Sequence, residues 1–321
     1  MNILISSAGR RVSLVRAFKK ELVKYFPDGQ IFTVDMKPEL SSACRISDKY
    51  FQVPAVTDKS YCEKLIGICK NYNVKIIVPT IDTELLVLAE NRENFLKEGI
   101  KPIISSTDIV MMCRDKRKTH KYFDSIGFPR SREIDLNNFQ FPVFAKPSDG
   151  SGSIGIQVIR NRSQLTDPIL NDEKIMLLEY YDPEKFREFT IDMYFDRFFN
   201  LKCAVPRERI EVRTGEVSKA VTRKDDLYKL ICNKFAHCEG FLGCITMQVF
   251  RNKNSNELLG IEINPRFGGG YPLSYHANAN YPGMIIKEYL LNKNLPFFDN
   301  WTENMLMLRY DDEIIINDYK G

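Results

Sequence analysis

Oxygen-bearing side chains lie on two neighbouring predicted strands in the last third of the sequence. Gln248 falls on the first of these strands, and Glu262 and Asn264 fall on the next one. Because residues two apart on a strand share a face, Glu262 and Asn264 project together, and Gln248 can join them. Carboxylate and amide oxygens, completed by phosphate oxygens, suit Mg²⁺. The pattern predicts a magnesium and phosphate site, beside which Arg266 adds a planar cation.

A glycine-rich segment between two apolar strands is the second candidate. Gly150, Gly152 and Gly155 fit the spacing G-x-G-x-x-G, but a strand follows them where a dinucleotide-binding turn would have a helix. Glycine lets backbone N–H groups approach a triphosphate, and Lys146 stands at the base of the loop. A flexible surface hairpin is the alternative. Lys116 is a second candidate cation, although its charged surroundings also fit a solvated helix face.

An acid and two tyrosines end the next apolar strand. Glu179, Tyr180, Tyr181 and Asp182 stand where exposed backbone groups could read an adenine edge while an aromatic ring packs on its face. Glu188, a little further on, could accept hydrogen bonds from ribose hydroxyls. A strand end that carries surface acids is the alternative interpretation.

A basic group surrounds the short segment 214–216 and consists of Arg207, Arg209, Arg213 and Lys219. It either lines a phosphoryl-transfer cleft or forms a solvated hairpin. The stretch 270–276 follows the Arg266 motif and is expected to border an acceptor carboxylate.

The elements that must position these residues fall into two parts. Strands alternate with helices over the first hundred residues, which predicts a parallel sheet covered on both faces. Its first turn has the single glycine Gly9, which argues against a dinucleotide site, although Asp35 stands where a ribose-binding acid could sit. Beyond Asp115 strands dominate, which indicates an α+β domain. We therefore expect a Rossmann-like domain over residues 1–110 and a second domain over 111–321.

Composition excludes several classes of protein. The 321 residues include 46 basic and 42 acidic side chains, and a net charge of +4 is too small to favour a nucleic-acid partner. No apolar run is long enough to cross a bilayer. The eight cysteines form no Cys-x-x-Cys pair and there are only three histidines, which argues against a zinc site. With no signal-peptide pattern at the N-terminus, we expect a cytoplasmic protein with reduced thiols.

Five motifs in this order resemble the ATP-grasp family, most closely the branch whose ATP site is similar to half of a carbamoyl-phosphate synthase large subunit. The motifs are Asp115-Lys116, Phe144-Ala145-Lys146-Pro147 with its Gly/Ser loop, Glu179-Tyr180-Tyr181, Glu188-Phe189-Thr190-Ile191-Asp192, and Glu262-Ile263-Asn264-Pro265-Arg266-Phe267-Gly268-Gly269-Gly270. The resemblance covers nearly the whole chain. It implies a Rossmann-like pre-ATP-grasp domain followed by an ATP-grasp fold with a glycine-rich lid at about 118–180.

The resemblance also implies roles for individual residues. The ATP-binding set would be Lys116, Lys146, Ser148, Gly150, Ser151, Gly152, Ser153, Gly155, Glu179, Tyr180, Tyr181, Asp182 and Glu188. One or two Mg²⁺ ions, or Mn²⁺ in their place, would be held by Gln248, Glu262 and Asn264. The catalytic cations would be Arg266, Lys219 and Arg207, and the acceptor pocket would include Arg209, Gly269, Gly270, Tyr271 and Ser274.

The implied reaction is ATP-dependent ligation of a small-molecule carboxylate to an amine through an acyl phosphate. The alternatives are an ATP-grasp kinase that phosphorylates a carboxylate or carbamate, a nucleotide-binding regulatory protein without turnover, and an NAD oxidoreductase, which the first turn disfavours. No nucleic acid or membrane partner is expected, and a homodimer is left open.

Overall fold

The first hundred residues form a parallel α/β unit in the computed structural model, which describes residues 1–150, 155–213, 215–317 and 319. Its elements in chain order are β1 (Asn2–Ile5), α1 (Val12–Leu22), β2 (Ile31–Asp35), α2 (Ser42–Ile46), β3 (Lys49–Gln52), α3 (Tyr61–Asn71), β4 (Val74–Val78), α4 (Asp82–Glu90), α5 (Arg92–Lys97) and β5 (Lys101–Pro102). The strands pair in parallel in the order β3-β2-β1-β4-β5. The predicted parallel sheet is confirmed.

Hydrophobic periodicity explains most of these elements. The side chains of Leu14, Val15, Phe18 and Leu22 are buried on one face of α1, as their spacing predicts. The strand β3 and the helix α2 were not predicted, because their apolar residues are few and interrupted. The helical segment after β4 consists of two helices, α4 and α5, which meet at Asn91.

A small antiparallel sheet follows. It is preceded by α6 (Thr107–Arg114) and α7 (Lys116–Ser125), and it is built from β6 (Val143–Pro147), β7 (Gln157–Ile159) and β8 (Ile175–Glu179), with α8 (Asp167–Asn171) between the last two. The strands lie in the order β7-β6-β8. Because β6 and β7 pair antiparallel, they form the predicted hairpin around the glycine-rich loop. Ser151, Gly152 and Ser153, which we assigned to ATP binding, lie outside the described residues.

The largest sheet has six strands in the order β13-β12-β9-β10-β11-β14. Its elements and the neighbouring helices are β9 (Phe186–Phe195), β10 (Leu201–Arg213), β11 (Glu216–Thr222), α9 (Asp226–Lys234), β12 (Gly243–Asn252), β13 (Leu258–Asn264), α10 (Tyr271–His276), α11 (Tyr281–Ile285) and β14 (Leu306–Leu308). All five of its pairings are antiparallel. A π-helical turn, Ile286–Leu290, follows α11 directly.

One hydrophobic core joins the parallel unit to the six-stranded sheet. Phe18 on α1 packs edge-on against Phe267, with ring centroids 6.0 Å apart. Close by, the Tyr275 hydroxyl donates a hydrogen bond of 2.9 Å to Glu21 on α1. The carboxyl ends of β1 and β4 are thereby held against the segment that follows β13. Within the described part of the chain, no helix combines the length and apolar character needed to span a membrane.

Candidate nucleotide and substrate site

Two buried lysines lie at the base of the glycine-rich hairpin. Lys146 on β6 is 5% exposed, and Lys116 at the start of α7 is 9% exposed. The Lys116 ammonium donates to the carbonyl of Gly150 at 2.9 Å, and its backbone N–H donates to the carbonyl of Ser148 at 2.8 Å. Asp115 caps α7 by accepting from the N–H of Arg117 at 2.9 Å. Lys116 is therefore not on a solvated helix face, and the described end of the loop is tied to it.

Lys146 has a perturbed pKa. The pKa of its ammonium is lowered from 10.5 to about 8, chiefly by burial; the charge of Glu262 opposes this shift, that of Lys116 adds to it, and that of Glu133 opposes it. Burying two neighbouring ammonium groups costs free energy unless an anion lies beside them. The surroundings of Lys146 therefore favour a negatively charged ligand.

The three predicted metal ligands lie on adjacent strands. Gln248 on β12 is directly opposite Glu262 on β13, and Asn264 donates its amide N–H to Oε1 of Glu262 at 3.0 Å. All three side chains are partly buried. In the described residues no group of three or more His, Cys, Asp or Glu side chains could by itself hold a metal. One carboxylate with two amides fits an ion that takes its other ligands from phosphate and water, as Mg²⁺ does.

The predicted adenine residues form a polar and aromatic corner after β8. The Tyr181 hydroxyl donates to Glu179 at 3.1 Å and accepts from the N–H of Arg132 at 3.1 Å. Its ring packs edge-on against Phe186, with centroids 5.1 Å apart. Tyr180 and Asp182 are partly buried beside it, and the described loop glycines Gly150 and Gly155 are exposed.

Glu188 is engaged in a way that the sequence did not indicate. Its carboxylate forms an ion pair with Arg209 on the adjacent strand β10. Burial raises the pKa of the Glu188 carboxyl, and Arg209 opposes that shift. An expected ribose contact of Glu188 would therefore compete with Arg209. We expected Arg209 in the acceptor pocket, but its partner in this structure is Glu188.

Two of the expected catalytic cations are occupied elsewhere. Arg207 is 1% exposed and makes a double hydrogen bond to Asp192, at 2.8 and 3.0 Å. Lys219 is about half exposed and forms an ion pair with Glu211 at 2.6 Å, which is a surface contact of the β10–β11 hairpin. In this structure a carboxylate binds the Lys219 ammonium and two nitrogens of Arg207, whereas Nη1 of Arg207 has no hydrogen-bond partner among the described residues.

Two expected acceptor residues are also part of the core. Ser274 is fully buried and donates to Asp192 at 2.6 Å. The Tyr271 hydroxyl, in a side chain that is 2% exposed, donates to the carbonyl of Ala279 at 2.9 Å. Both hydroxyls already have internal partners, and the expected substrate contacts of these two residues stay predictions. Gly270 fits here because a Cβ would lie only 2.2 Å from Nη1 of Arg207.

Arg266 contacts the N-terminal unit. It donates to Asp82, the first residue of α4, from Nη2 at 2.8 Å and from Nε at 3.2 Å. Nearby, Arg309 donates to Glu216 at 2.9 Å and to the carbonyl of Gly269. Arg11, at the start of α1, has its Nη1 close to Gly269 as well. We call these residues the acceptor cluster: Arg11, Asp82, Glu216, Gly269, Arg266 and Arg309.

Sequence reasoning missed four members of the acceptor cluster, namely Arg11, Asp82, Glu216 and Arg309. A signal existed for the first two. Arg11 follows β1 and Asp82 follows β4, and these are neighbouring parallel strands. The order of connection reverses between them, and ligands of open α/β sheets bind at that point. Glu216 and Arg309 carried no such signal, because their place depends on the pairing of β11 with β14.

Two family models match separate parts of the chain. Residues 3–103 match the model described as PylC-like, N-terminal domain. Residues 171–306 match the model described as ATP-grasp in the biosynthetic pathway with Ter operon. The second match spans the candidate metal ligands and three of the six members of the acceptor cluster, namely Glu216, Arg266 and Gly269.

Two curated relatives have the name 3-methyl-D-ornithine–L-lysine ligase. The one from Methanosarcina mazei is 30% identical over 152 residues, which are 47% of this chain and 37% of the relative. The one from Methanosarcina acetivorans is 31% identical over 119 residues, which are 37% of this chain and 30% of the relative. The matched region thus spans only about a third of each relative's length.

Solved structures share the fold at low identity. The biotin carboxylase domain of Hydrogenobacter thermophilus 2-oxoglutarate carboxylase, in complex with MgADP, ADP and bicarbonate, superposes with a TM-score of 0.72 at 15% identity, covering 95% of this chain and 73% of that one. N5-carboxyaminoimidazole synthetase from Staphylococcus aureus, complexed with ADP, gives 0.70 at 16% identity, covering 96% and 79%. The motifs, the family models and the fold agree: the chain combines a PylC-like N-terminal domain, matched over residues 3–103, with an ATP-grasp domain, matched over residues 171–306.

Proposed function

We propose that this chain is an ATP-dependent carboxylate–amine ligase. The observation that carries the proposal is the position of Lys116 and Lys146 beside Glu262 and Asn264, in the structure of an ATP-grasp protein. Two buried cations face a group of oxygen ligands that needs phosphate oxygens for its completion. The curated relatives are named as ligases of 3-methyl-D-ornithine and L-lysine, and these names support ligation as the reaction.

The proposed reaction has two steps. A carboxylate oxygen attacks the γ-phosphorus of ATP and ADP leaves, which gives an acyl phosphate. An amine then attacks the acyl carbon, phosphate leaves, and the nitrogen loses a proton to give the amide. The chain's task is to position the reactants and to stabilise charge, as in other phosphoryl transfers.

Each group of residues has a part in this proposal. Lys116 and Lys146 hold the phosphates, and the corner formed by Glu179 and Tyr181 holds the adenine. Gln248, Glu262 and Asn264 would hold Mg²⁺, which neutralises charge on the phosphates when it is bound. Arg266 is the member of the acceptor cluster that follows the metal ligand Asn264 by two residues, so it is placed to contact the transferred phosphoryl group. Its contact with Asp82 fixes the guanidinium in that position.

The test is a screen of carboxylate and amine pairs for ADP release with Mg-ATP, with the product mass measured. We expect ADP to appear only with a suitable carboxylate, and a product whose mass equals the sum of acid and amine minus water. A phosphorylated acid as the final product would establish the kinase alternative. Nucleotide binding with no ADP release from any pair would establish a regulatory role.

The proposal also covers the metal ion, the domain boundary, the cellular setting and the oligomeric state. Mn²⁺ is proposed as a substitute for Mg²⁺ because both take oxygen ligands in octahedral geometry. The two sequence domains are proposed to meet near residue 110, within α6, which joins the parallel sheet to the rest of the chain. A cytosolic setting is proposed because all eight cysteines are unpaired thiols. A homodimer is proposed as a state to be tested by light scattering.

A further inference from the structure

One buried carboxyl group joins two turns of the N-terminal unit that reach the acceptor cluster. Glu84 on α4 is fully buried. Its Oε1 accepts a hydrogen bond of 2.8 Å from the N–H of Thr80 in the turn after β4, and its Oε2 accepts one of 3.0 Å from the hydroxyl of Ser7 in the turn after β1. Because β1 and β4 are neighbouring parallel strands, this one side chain ties their carboxyl ends together.

These contacts exceed what the start of a helix requires. Glu84 is the third residue of α4, and an acid at that position commonly accepts from the N–H of the residue before the helix, here Ile81. That contact is 3.3 Å long, which is longer than the other three. The hydroxyl of Tyr61 on α3 donates the fourth hydrogen bond, at 2.9 Å. The shorter bonds of Glu84 therefore run to groups outside its own helix.

The turn after β1 is held in a strained backbone conformation. Ser7 has a φ of +48°, in the left-handed region that residues with a side chain seldom adopt. Such a conformation persists where surrounding contacts enforce it, and it is concentrated at functional sites. Here the Ser7 hydroxyl bonds to Glu84, and the Ser7 carbonyl accepts from the hydroxyl of Thr80 at 2.7 Å. The network that contains Glu84 therefore maintains this strain.

The turn after β4 carries two contacts to arginines of the acceptor cluster. The carbonyl of Thr80 accepts from Nη2 of Arg11 at 3.3 Å. Two residues further on, the carboxylate of Asp82 accepts from Nη2 of Arg266 at 2.8 Å and from Nε at 3.2 Å. Asp82 lies in the same helical turn as Glu84, so a movement of this turn would displace the guanidinium that is proposed to contact the phosphoryl group.

We propose that Glu84 is a positioning residue for phosphoryl transfer. By fixing the turns after β1 and β4, it holds Asp82 where that carboxylate orients Arg266, and it holds the Thr80 carbonyl where that oxygen orients Arg11. Glu84 itself contacts no reactant, because its carboxylate is buried and accepts from internal donors. The inference rests on the proposed ligase function and adds that the N-terminal unit controls the geometry of the reacting groups.

The first experiment reads the state of Arg266 without any substrate. Phenylglyoxal modifies arginine side chains that are free to react, and peptide mass spectrometry gives the rate at each arginine. The pairing with Asp82 should protect Arg266, whose side chain is 16% exposed. We expect Glu84→Ala to speed the modification of Arg266 by about tenfold, the equivalent of one lost charge-assisted hydrogen bond. Arg251, which pairs with an acid and is 15% exposed, is the internal reference and should react at its wild-type rate.

Further variants separate positioning from stability. Tyr61→Phe removes a donor to Glu84 that lies outside both turns, so it should destabilise the protein while Arg266 reacts at its wild-type rate. Glu84→Gln can still accept from the N–H of Thr80 and should restore most of the protection. If Glu84→Ala does not fold, Glu84→Asp, whose side chain is one methylene shorter and cannot span both turns, replaces it with the same expectation.

A double-mutant cycle tests the route from Glu84 to Arg266. Asp82→Asn should itself speed the modification of Arg266, and adding Glu84→Ala should speed it no further, because both changes remove the same contact. Additive effects would show that Glu84 does not act through Asp82. Wild-type protection of Arg266 in Glu84→Ala, or equal acceleration in Tyr61→Phe, would likewise overturn the proposal.

The second experiment measures ADP release with the carboxylate and amine pair that the screen identifies. Glu84→Ala should lower kcat roughly ten- to hundredfold, the size expected when a reacting group is misplaced, while the Kd of a non-hydrolysable Mg-ATP analogue stays unchanged. If ADP is released and Glu84→Ala leaves kcat unchanged, the positioning role is wrong and the ligase proposal stands. If Glu84→Ala frees Arg266 but no pair releases ADP, the link from Glu84 to Arg266 stands and the ligase proposal fails.

Discussion

Two parts of the proposed site hold their charges in opposite ways: the phosphate side, which is Lys116 and Lys146, and the acceptor side, which is Arg207 with the acceptor cluster. On the phosphate side, Lys116 and Lys146 have no ion pair within 4 Å among the described residues, and Lys116 is held by a backbone carbonyl. On the acceptor side, Arg207, Arg266 and Arg309 each have a carboxylate partner, and Arg11 alone lacks one in the described part of the chain. Both sides are cationic, but only the second is largely neutralised.

The difference separates groups that await a ligand from groups that build the site. A triphosphate brings several negative charges, so lysines without acidic partners favour its binding. Such lysines also make the net charge of the empty site very different from that of the filled site. A single carboxylate needs one cation, and further unpaired arginines would repel each other. Ion pairs therefore fix the acceptor side, whereas the lysines of the proposed phosphate side have no acidic partner within 4 Å among the described residues. Four substitutions or titrations test this contrast.

The largest effect is expected at the metal ligands. Glu262→Gln keeps the volume and the strand but removes the negative charge that would bind Mg²⁺. We expect ADP release to be nearly abolished, nucleotide binding to be modestly weakened, and the melting temperature to be unchanged. Steady-state ADP release, calorimetry and thermal unfolding measure the three quantities. Glu257→Gln, at an exposed acid beside β13, is the control. A destabilised Glu262→Gln protein with full activity would show that Glu262 is structural.

The next effect concerns the buried ion pair of the acceptor side. Asp192→Ala leaves the fully buried guanidinium of Arg207 without its partner, and breaking such a pair costs about 3–5 kcal/mol. We expect urea denaturation to show a loss of this order in the free energy of unfolding. Lys219→Ala, which breaks a pair between half-exposed side chains, should leave stability unchanged. Equal stabilities of the two variants would refute the division between structural and ligand-awaiting cations.

A smaller effect is expected from a phosphate-side lysine. Lys146→Ala removes one charge-assisted contact to phosphate, which contributes about 1.5–3 kcal/mol, or roughly a ten- to hundredfold rise in the Kd of Mg-ATP. Stability should not fall, because among the described residues Lys146 has no ion-pair partner that the substitution would leave unpaired. Calorimetry with Lys118→Ala as the control, at an exposed residue of the same helix as Lys116, gives the comparison. Wild-type affinity in Lys146→Ala would remove this residue from the site.

The smallest effect is a dependence on pH. Burial lowers the pKa of Lys146 to about 8, so between pH 8 and 10.5 the unfolded chain holds a proton that the folded chain has lost. The contribution of Lys146 to stability therefore rises with pH through this window. Nucleotide affinity should fall over the same range because the lysine loses its charge, and the total loss should not exceed the roughly ten- to hundredfold expected for Lys146→Ala. Lys146→Arg should keep nucleotide affinity flat over this range. Parallel profiles of the wild type and Lys146→Arg would contradict the assignment.

Much of the site could be predicted from the sequence because its chemistry is local to single strands. Glu262 and Asn264 share a face by strand alternation alone, and Lys146 ends an apolar strand before a glycine-rich segment. The parallel sheet followed from strands alternating with helices. The elements that were missed, such as β3 and β14, are edge strands of only four and three residues, which is too short for a periodic signal.

What only the tertiary structure decided is which charges meet. Arg207 and Asp192 meet across β10 and β9, and Arg209 meets Glu188, because the register of two long antiparallel strands brings them together. Arg11 and Gly269 meet because α1 packs against the segment after β13 through Phe18 and Phe267. Register and packing are set by the sum of many contacts distant in sequence, so no local pattern reveals them. Short sequence motifs thus identify many residues of the proposed site. Which of its cations are paired with an acid is decided only when the chain folds.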